Sequence, residues 1–283
     1  MVIKMVKKIA FIGVGNMAGA IISGITSRKE NPIGWDNIIL YDKYSEKCDR
    51  YKALGAFVTE NAEEAVTLAD CIILAVKPQN FPEILPLIKS CPNISNKLFI
   101  TIAAGIRIKT VSDAVNGAPV VRVLPNTPML IGKGVSAVCR DKNVSDEDFA
   151  FACDIFSSSG KVLLIEEEEM NRIISVTSSS PAYVFTLINA MYEGAVAQGL
   201  VSDTSDGIQP KQIIDSICDT IIGSAELMKS QNKTPMEQIT TVASKGGTTE
   251  KALNELERYK FTEAVISAME KCTARADELS AES

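Results

Sequence analysis

Histidine is absent from all 283 residues. A Ser-His-Asp or Cys-His nucleophile system is therefore excluded, and the commonest side-chain metal ligand is missing. Any chemistry must need little acid–base help, or draw on carboxylates, lysine, tyrosine or bound water. Close cysteine pairs are missing too. The seven cysteines, at 48, 71, 91, 139, 153, 218 and 272, include no two within five residues, so no metal-knuckle or redox-pair spacing exists and no metal is expected. An odd number of cysteines in an acidic chain suits a reducing cytoplasm. There is no basic excess either. The formal net charge is -6, which argues against nucleic acid or an anionic membrane as the main partner. No apolar run approaches membrane-spanning length. The lysines of "MVIKMVKKIAFIGVG" precede an apolar run that is short and flows into glycines, which reads as a strand rather than a signal-peptide core. Repeats and low-complexity tracts are lacking.

What is present is an ordinary globular balance, 46% hydrophobic and 23% charged, in a chain long enough for two domains with real cores. The first 166 residues alternate β-branched runs with helical stretches. The runs are 8–13, 38–42, 71–76, 98–104, 119–125, 134–140 and 161–166. Strand, helix, strand at this spacing predicts a mostly parallel sheet wrapped by helices. Runs as apolar as "CIILAV" are what strands buried on both faces look like. After Glu166 the strand signal stops, and "EEEE" (166–169) reads as a solvated helix start rather than a metal site. The segment 180–200 is apolar almost all round, so a buried helix is expected. Positions 214, 217, 221, 225 and 228 share one helical face. So do 261, 264, 265, 268, 269, 272, 276 and 279. The fold class read here is α/β: a mostly parallel sheet domain over 1–166, then an all-helical domain over 167–283. The all-round apolar helix wants more cover than one small domain offers, so a homo-oligomer is expected. The first domain is the alternative cover.

"KIAFIGVGNMAGAI" supplies the chemistry of the first half. Gly13-x-Gly15-x-x-Ala18 follows the first strand and opens a helix. Gly13 permits the tight turn, Gly15 lets a pyrophosphate approach the backbone, and Ala18 sits where helix packs on strand. In this context the pattern reads as a dinucleotide cradle. At the end of the second strand the signals conflict. Asp42 could accept hydrogen bonds from an adenosine ribose and favour NAD, whereas Lys43 and Lys47 could hold a 2′-phosphate and favour NADP. Lys77-Pro78, Ala103-Ala104-Gly105 and Asn126-Thr127-Pro128 follow later strands, at the ends that line the crevice of an open parallel sheet. Together they read as a floor under a nicotinamide, with Asn126 bonding its carboxamide. In the second half, "VASKGGTTEKAL" puts paired glycines and threonines before a helical run. That is poor helix interior and a good helix start, where unpaired N–H groups and the dipole favour an anion.

The set "FIGVGNMAGAI", "AVKPQ", "VRVLPNTP", "SPAYVF" and "KGGTTEKALNELE" resembles pyrroline-5-carboxylate reductase, the last enzyme of proline synthesis, in order from about residue 7 to 279. The resemblance implies a Rossmann domain followed by a helical domain that intertwines with a second subunit, with dimers that often assemble into decamers. It implies NADPH or NADH as cofactor, contacted by Gly13 to Met17, by the residues after the second strand, and by Val76, Lys77, Ala103 and Asn126. It also implies a cyclic imino acid substrate bound by the loop Ser244 to Thr249, its carboxylate held by the backbone of Gly246, Gly247 and Thr248. Thr249 would face the ring nitrogen as the catalytic side chain. Hydride transfer to an imine that already carries a proton needs no nucleophile or strong general acid, which accommodates the absence of histidine.

Two departures stand out. The family usually reads S-G-S-G-P-A-Y where this chain has Thr177-Ser178-Ser179-Ser180-Pro181-Ala182-Tyr183, and S-P-G-G where it has Ser244-Lys245-Gly246-Gly247. The first adds side chains near the expected site. The second restores backbone freedom and adds a charge that could assist a carboxylate. They open the alternative of a related cyclic imino acid as substrate. A 3-hydroxyacid-dehydrogenase-like enzyme shares the two-domain plan but wants a catalytic lysine, and Lys211, Lys229 and Lys245 sit in no clear pattern. A nucleotide-binding sensor or scaffold is the non-enzymatic alternative, against which the intact Gly-Gly-Thr-Thr stretch argues.

Overall fold

A computed structural model describes residues 7–30, 32–202 and 207–281. Met1–Val6 and the last two residues, which the sequence reading includes in its two domains, lie outside the described residues. The chain divides into two compact units, Met1–Pro181 with Lys271–Ser283, and Ala182–Glu270.

The first unit is built on eight strands: β1 (Ile9–Ile12), β2 (Ile38–Tyr41), β3 (Phe57–Val58), β4 (Cys71–Leu74), β5 (Leu98–Thr101), β6 (Val120–Leu124), β7 (Gly134–Arg140) and β8 (Gly160–Leu164). Their spatial order is β3-β2-β1-β4-β5-β6-β7-β8. All pairs are parallel except β6 with β7. Side chains alternate between faces, and both faces are covered. Ala10, Ile12, Ile72, Leu74 and Phe99 point into one core; Ile9, Phe11, Leu40, Ile73 and Ile100 point into the other. The seven expected runs are all strands. β3 adds an eighth that two residues of "AFV" were too short to announce. The order reverses at β1, where the chain passes from β3 back across to β4. In such sheets the ligand crevice opens beside that reversal, at the carboxyl ends of the strands.

One charge lies inside this sheet. Arg122 of β6 is 1% exposed. Its Nη2 donates to Asn171 Oδ1 at 3.0 Å and its Nη1 to Glu167 Oε1 at 3.4 Å. Burial lowers the Arg122 pKa, and Glu167 works against that shift. Glu167 Oε1 also accepts the Ile108 N–H at 2.7 Å, at the start of the helix Ile108–Ala114. Asn171 Nδ2 in turn donates to Asp277 Oδ1 and Ser280 Oγ, at 2.9 and 3.0 Å. This network ties the end of the last helix, Phe261–Ala281, to the sheet, and Leu279 lies directly against Gly105. The "EEEE" run does start a helix, with Glu166 and Glu169 capping each other. Glu167 differs from the solvated reading, because its partner lies 45 residues earlier in a buried strand.

The second unit is helical. It contains most of Ser180–Ala197, then Pro210–Ser230, Pro235–Val242, Thr248–Arg258 and the first half of the last helix. The starts are encoded locally. Pro210 and Pro235 occupy first-turn positions that need no N–H donor. Thr234 and Glu237 form a reciprocal capping box. The helix Ser180–Ala197, expected to be buried, has no buried residue in the single chain. Phe185 is 63% exposed and Met236 69%. Among the described residues no helix is long and apolar enough to cross a membrane.

Candidate active site

The crevice predicted by the strand order holds a cleft of about 430 Å³, lined at its base by Gly13, Gly15, Asp42, Lys43, Val76 and Lys77. Gly13 takes φ +96°, and a Cβ there would come within 2.9 Å of the Ala75 carbonyl. Only glycine lets the chain turn so close to β4. The Gly13 N–H donates to the Tyr41 carbonyl at 2.7 Å, which fixes the turn against β2. Gly15 caps the helix Asn16–Ser27 and lines the cleft, and a Cβ on it would meet no protein atom within 4 Å. This is the open cradle a pyrophosphate needs: a bare backbone at a helix N-terminus, with no side chain in the way. Ala18 is 1% exposed and packs beneath. A dinucleotide therefore fits the residues present.

Asp42 is turned inward. Its Oδ2 accepts the Val14 N–H at 2.8 Å, while its Oδ1 accepts the Tyr44 N–H at 2.9 Å and Lys47 Nζ at 3.0 Å. Burial works to raise its pKa, but the two amides and Lys47 outweigh it and hold the carboxyl below its ordinary value. Asp42 thus braces the glycine turn through Oδ2 and its own segment through Oδ1. Lys43 is exposed and pairs across the cleft mouth with Glu83, at 3.5 Å.

Sequence reasoning missed Tyr44, Gln79, Asn80, Glu83 and Ile84, which complete the cleft wall. The signal was available: "KPQNFPEIL" follows β4 at the crevice end, and its helix Phe81–Lys89 opens toward the cleft. Other expected residues do not line it. Asn16 is exposed and Met17 half-buried on the helix after the turn. Pro78 borders a separate apolar cavity with Phe81, Leu85 and Leu279. Ala103 is buried beside the end of β5. Asn126 bonds within the protein at both ends of its carboxamide, accepting from Val135 N at 2.9 Å and donating to the Thr177 carbonyl at 3.0 Å.

The second stretch is described within its own unit. Ser244 to Gly247 link the helix Pro235–Val242 to Thr248–Arg258, with Gly247 as N-cap and Gly246 at φ +77°. The Gly247 N–H donates to the Ser244 carbonyl at 3.0 Å, and the Gly246 N–H to Glu250 Oε2 at 2.8 Å. Two of the expected donors therefore already have acceptors, one in the loop and one the Glu250 carboxylate in the next helix's first turn, where the dipole favours negative charge. Thr248 and Thr249 lie in the first turn, where amides lack intrahelical acceptors. In the first unit, Ser178 ends a π-helical turn, Ile174–Ser178, and its Oγ is buried with no partner. Among the described residues no group of three His, Cys, Asp or Glu side chains could hold a metal.

Known proteins resemble the chain along its whole length. Residues 167–279 match the family model for pyrroline-5-carboxylate reductase dimerisation, and 8–105 match that for coenzyme F420-dependent NADP oxidoreductases. The pyrroline-5-carboxylate reductase of Escherichia coli (strain K12) is 34% identical, covering 98% of this chain and 99% of the relative. That of Vibrio alginolyticus is 33% identical, covering 96% and 97%. Among solved structures, Plasmodium falciparum pyrroline carboxylate reductase with NADP bound superposes with a TM-score of 0.85 at 28% identity, over 97% of this chain and 98% of that one. The Streptococcus pyogenes 1-pyrroline-5-carboxylate reductase gives 0.84 at 28%, over 96% and 98%.

Proposed function

The chain belongs to the pyrroline-5-carboxylate reductase family, and from that premise we propose that it reduces 1-pyrroline-5-carboxylate to L-proline with NADPH, the last step of proline synthesis. The observation that carries this reading is the pairing of a family match along nearly the whole chain with a glycine-turn cleft shaped for a dinucleotide. The dihydronicotinamide supplies the hydride when the cofactor is bound. The chain's own residues then have three tasks. The Gly13–Ala18 turn holds the pyrophosphate on bare backbone and a helix start. Lys43 reads the 2′-phosphate, while Lys47 neutralises Asp42 and so weakens that carboxylate's repulsion of it; this favours NADPH over NADH. Val76 and Lys77 line the cleft beyond.

The loop Ser244–Thr249 takes the substrate carboxylate. Thr248 and Thr249 offer first-turn amides, Lys245 adds positive charge, and Gly246 serves once Glu250 moves aside. Thr249 Oγ1 orients the imine nitrogen. The imine carries its own proton, so no histidine is required, and positioning with charge neutralisation supplies the rate. The exposed apolar face of Ser180–Ala197 supports a homodimer as the working form, with a larger assembly built from dimers. Light scattering that found an active monomer would remove that part. Seven free thiols support a cytoplasmic location.

Thr249→Val tests the substrate assignment. It keeps shape and removes the hydroxyl. A hydrogen bond to a charged group is worth ~1.5–3 kcal/mol, so kcat/KM should fall by roughly 10–100-fold with NADPH affinity unchanged, and Thr249→Ser should retain most activity. Parental kinetics in Thr249→Val would reduce Thr249 to a helix-start residue and move the search to Ser178–Tyr183.

A further inference from the structure

The mouth of the nucleotide cleft carries a charge that the cofactor reading does not use. Glu83 lies in the first turn of Phe81–Lys89 and lines the cleft opposite the segment after β2. Two carboxylates line this cleft, and they are in different states. Asp42 is balanced by two amides and by Lys47. Glu83 pairs with Lys43, at 3.5 Å, with 62% of its side chain exposed and 70% of that of Lys43. An ion pair this open is weak and easily exchanged. Lys47 is already bonded to Asp42, which leaves Lys43, paired only loosely with Glu83, as the ammonium at this edge that a phosphate could take over.

Resting on the assignment of this cleft to NADPH, we infer that Glu83 is a specificity-determining residue: it competes with the cofactor's 2′-phosphate for Lys43 and narrows the preference for NADPH over NADH. A 2′-phosphate dianion seated on Lys43 would have the Glu83 carboxylate as a close neighbour of like charge. NADH brings only a 2′-hydroxyl to that place and leaves the Lys43–Glu83 pair intact. Removing the Glu83 charge therefore helps one cofactor and leaves the other alone.

The test is direct binding to the full-length protein at low ionic strength, where exposed charges act most strongly. Parent, Glu83→Gln, Lys43→Gln and the double variant are titrated with NADPH and NADH by fluorescence, and with adenosine 2′,5′-bisphosphate and AMP by calorimetry. An exposed pair is worth at most ~1 kcal/mol, so Glu83→Gln should tighten NADPH and adenosine 2′,5′-bisphosphate roughly two- to fivefold. NADH and AMP should not change, and the gain should vanish in the Lys43→Gln background. Equal tightening of both cofactors would overturn the inference, because Glu83 would then act on the whole anion. Weakening of both would overturn it too, making Glu83 an adenine contact. Unchanged binding of all four probes would show that Glu83 exerts no selection. If the parent bound neither cofactor, the cleft assignment itself would fall, an outcome separable from the others.

Discussion

Gly13 and Gly15 differ in what a side chain would meet, and substitution should separate them. At Gly13 a Cβ would press on the Ala75 backbone from a positive-φ position. Gly13→Ala should therefore destabilise the fold by ~1–3 kcal/mol, read as a lowered Tm. At Gly15 the space is open, so Gly15→Val should leave Tm near the parent value while NADPH affinity falls by at least tenfold. If Gly15→Val bound NADPH as the parent does, the cradle would be misplaced. Both glycines were legible, because their spacing states a backbone requirement. Asp42 was legible as a residue but not in its orientation. Its bonds go to Val14 and Tyr44 amides, and amides carry no sequence signal. Asn126 shows the same limit. The strand-end position was plain, but its bonds to Val135 and Thr177 depend on chain neighbours 9 and 51 residues away.

At the scale of elements, the strands were legible because Val, Ile and Phe runs buried on both faces leave a continuous apolar trace. The antiparallel β6–β7 pair was not, since strand direction leaves no mark on composition. The link between β6 and the last helix was hidden as well. Arg122 is a single charge in an apolar run, and its partners Glu167 and Asn171 lie 45 and 49 residues further on. Arg122→Met would take the guanidinium donor from Glu167 and Asn171. Breaking one side of a buried charged network costs ~3–5 kcal/mol. The expected result is a large fall in Tm, with earlier proteolysis in the segment after Lys271. A variant as stable and protease-resistant as the parent would show that apolar packing alone holds this helix.

At the scale of the molecule, the helical unit exposes apolar side chains that a lone chain has no use for, Phe185, Met236, Val242 and Tyr259 among them. The sequence announced that need in the all-round apolar helix, because burial demand is written in composition whatever surface meets it. The sequence announced a glycine turn in one unit and a polar helix start in the other. The reaction of the family is reduction of a cyclic imine acid. Its direct measurement is the reaction itself: purified protein, NADPH and 1-pyrroline-5-carboxylate, with cofactor oxidation followed by absorbance and L-proline quantified in the same samples. One proline formed for each NADPH consumed, with NADH used less efficiently, is the expected result. NADPH that binds while no proline accumulates would contradict the assignment.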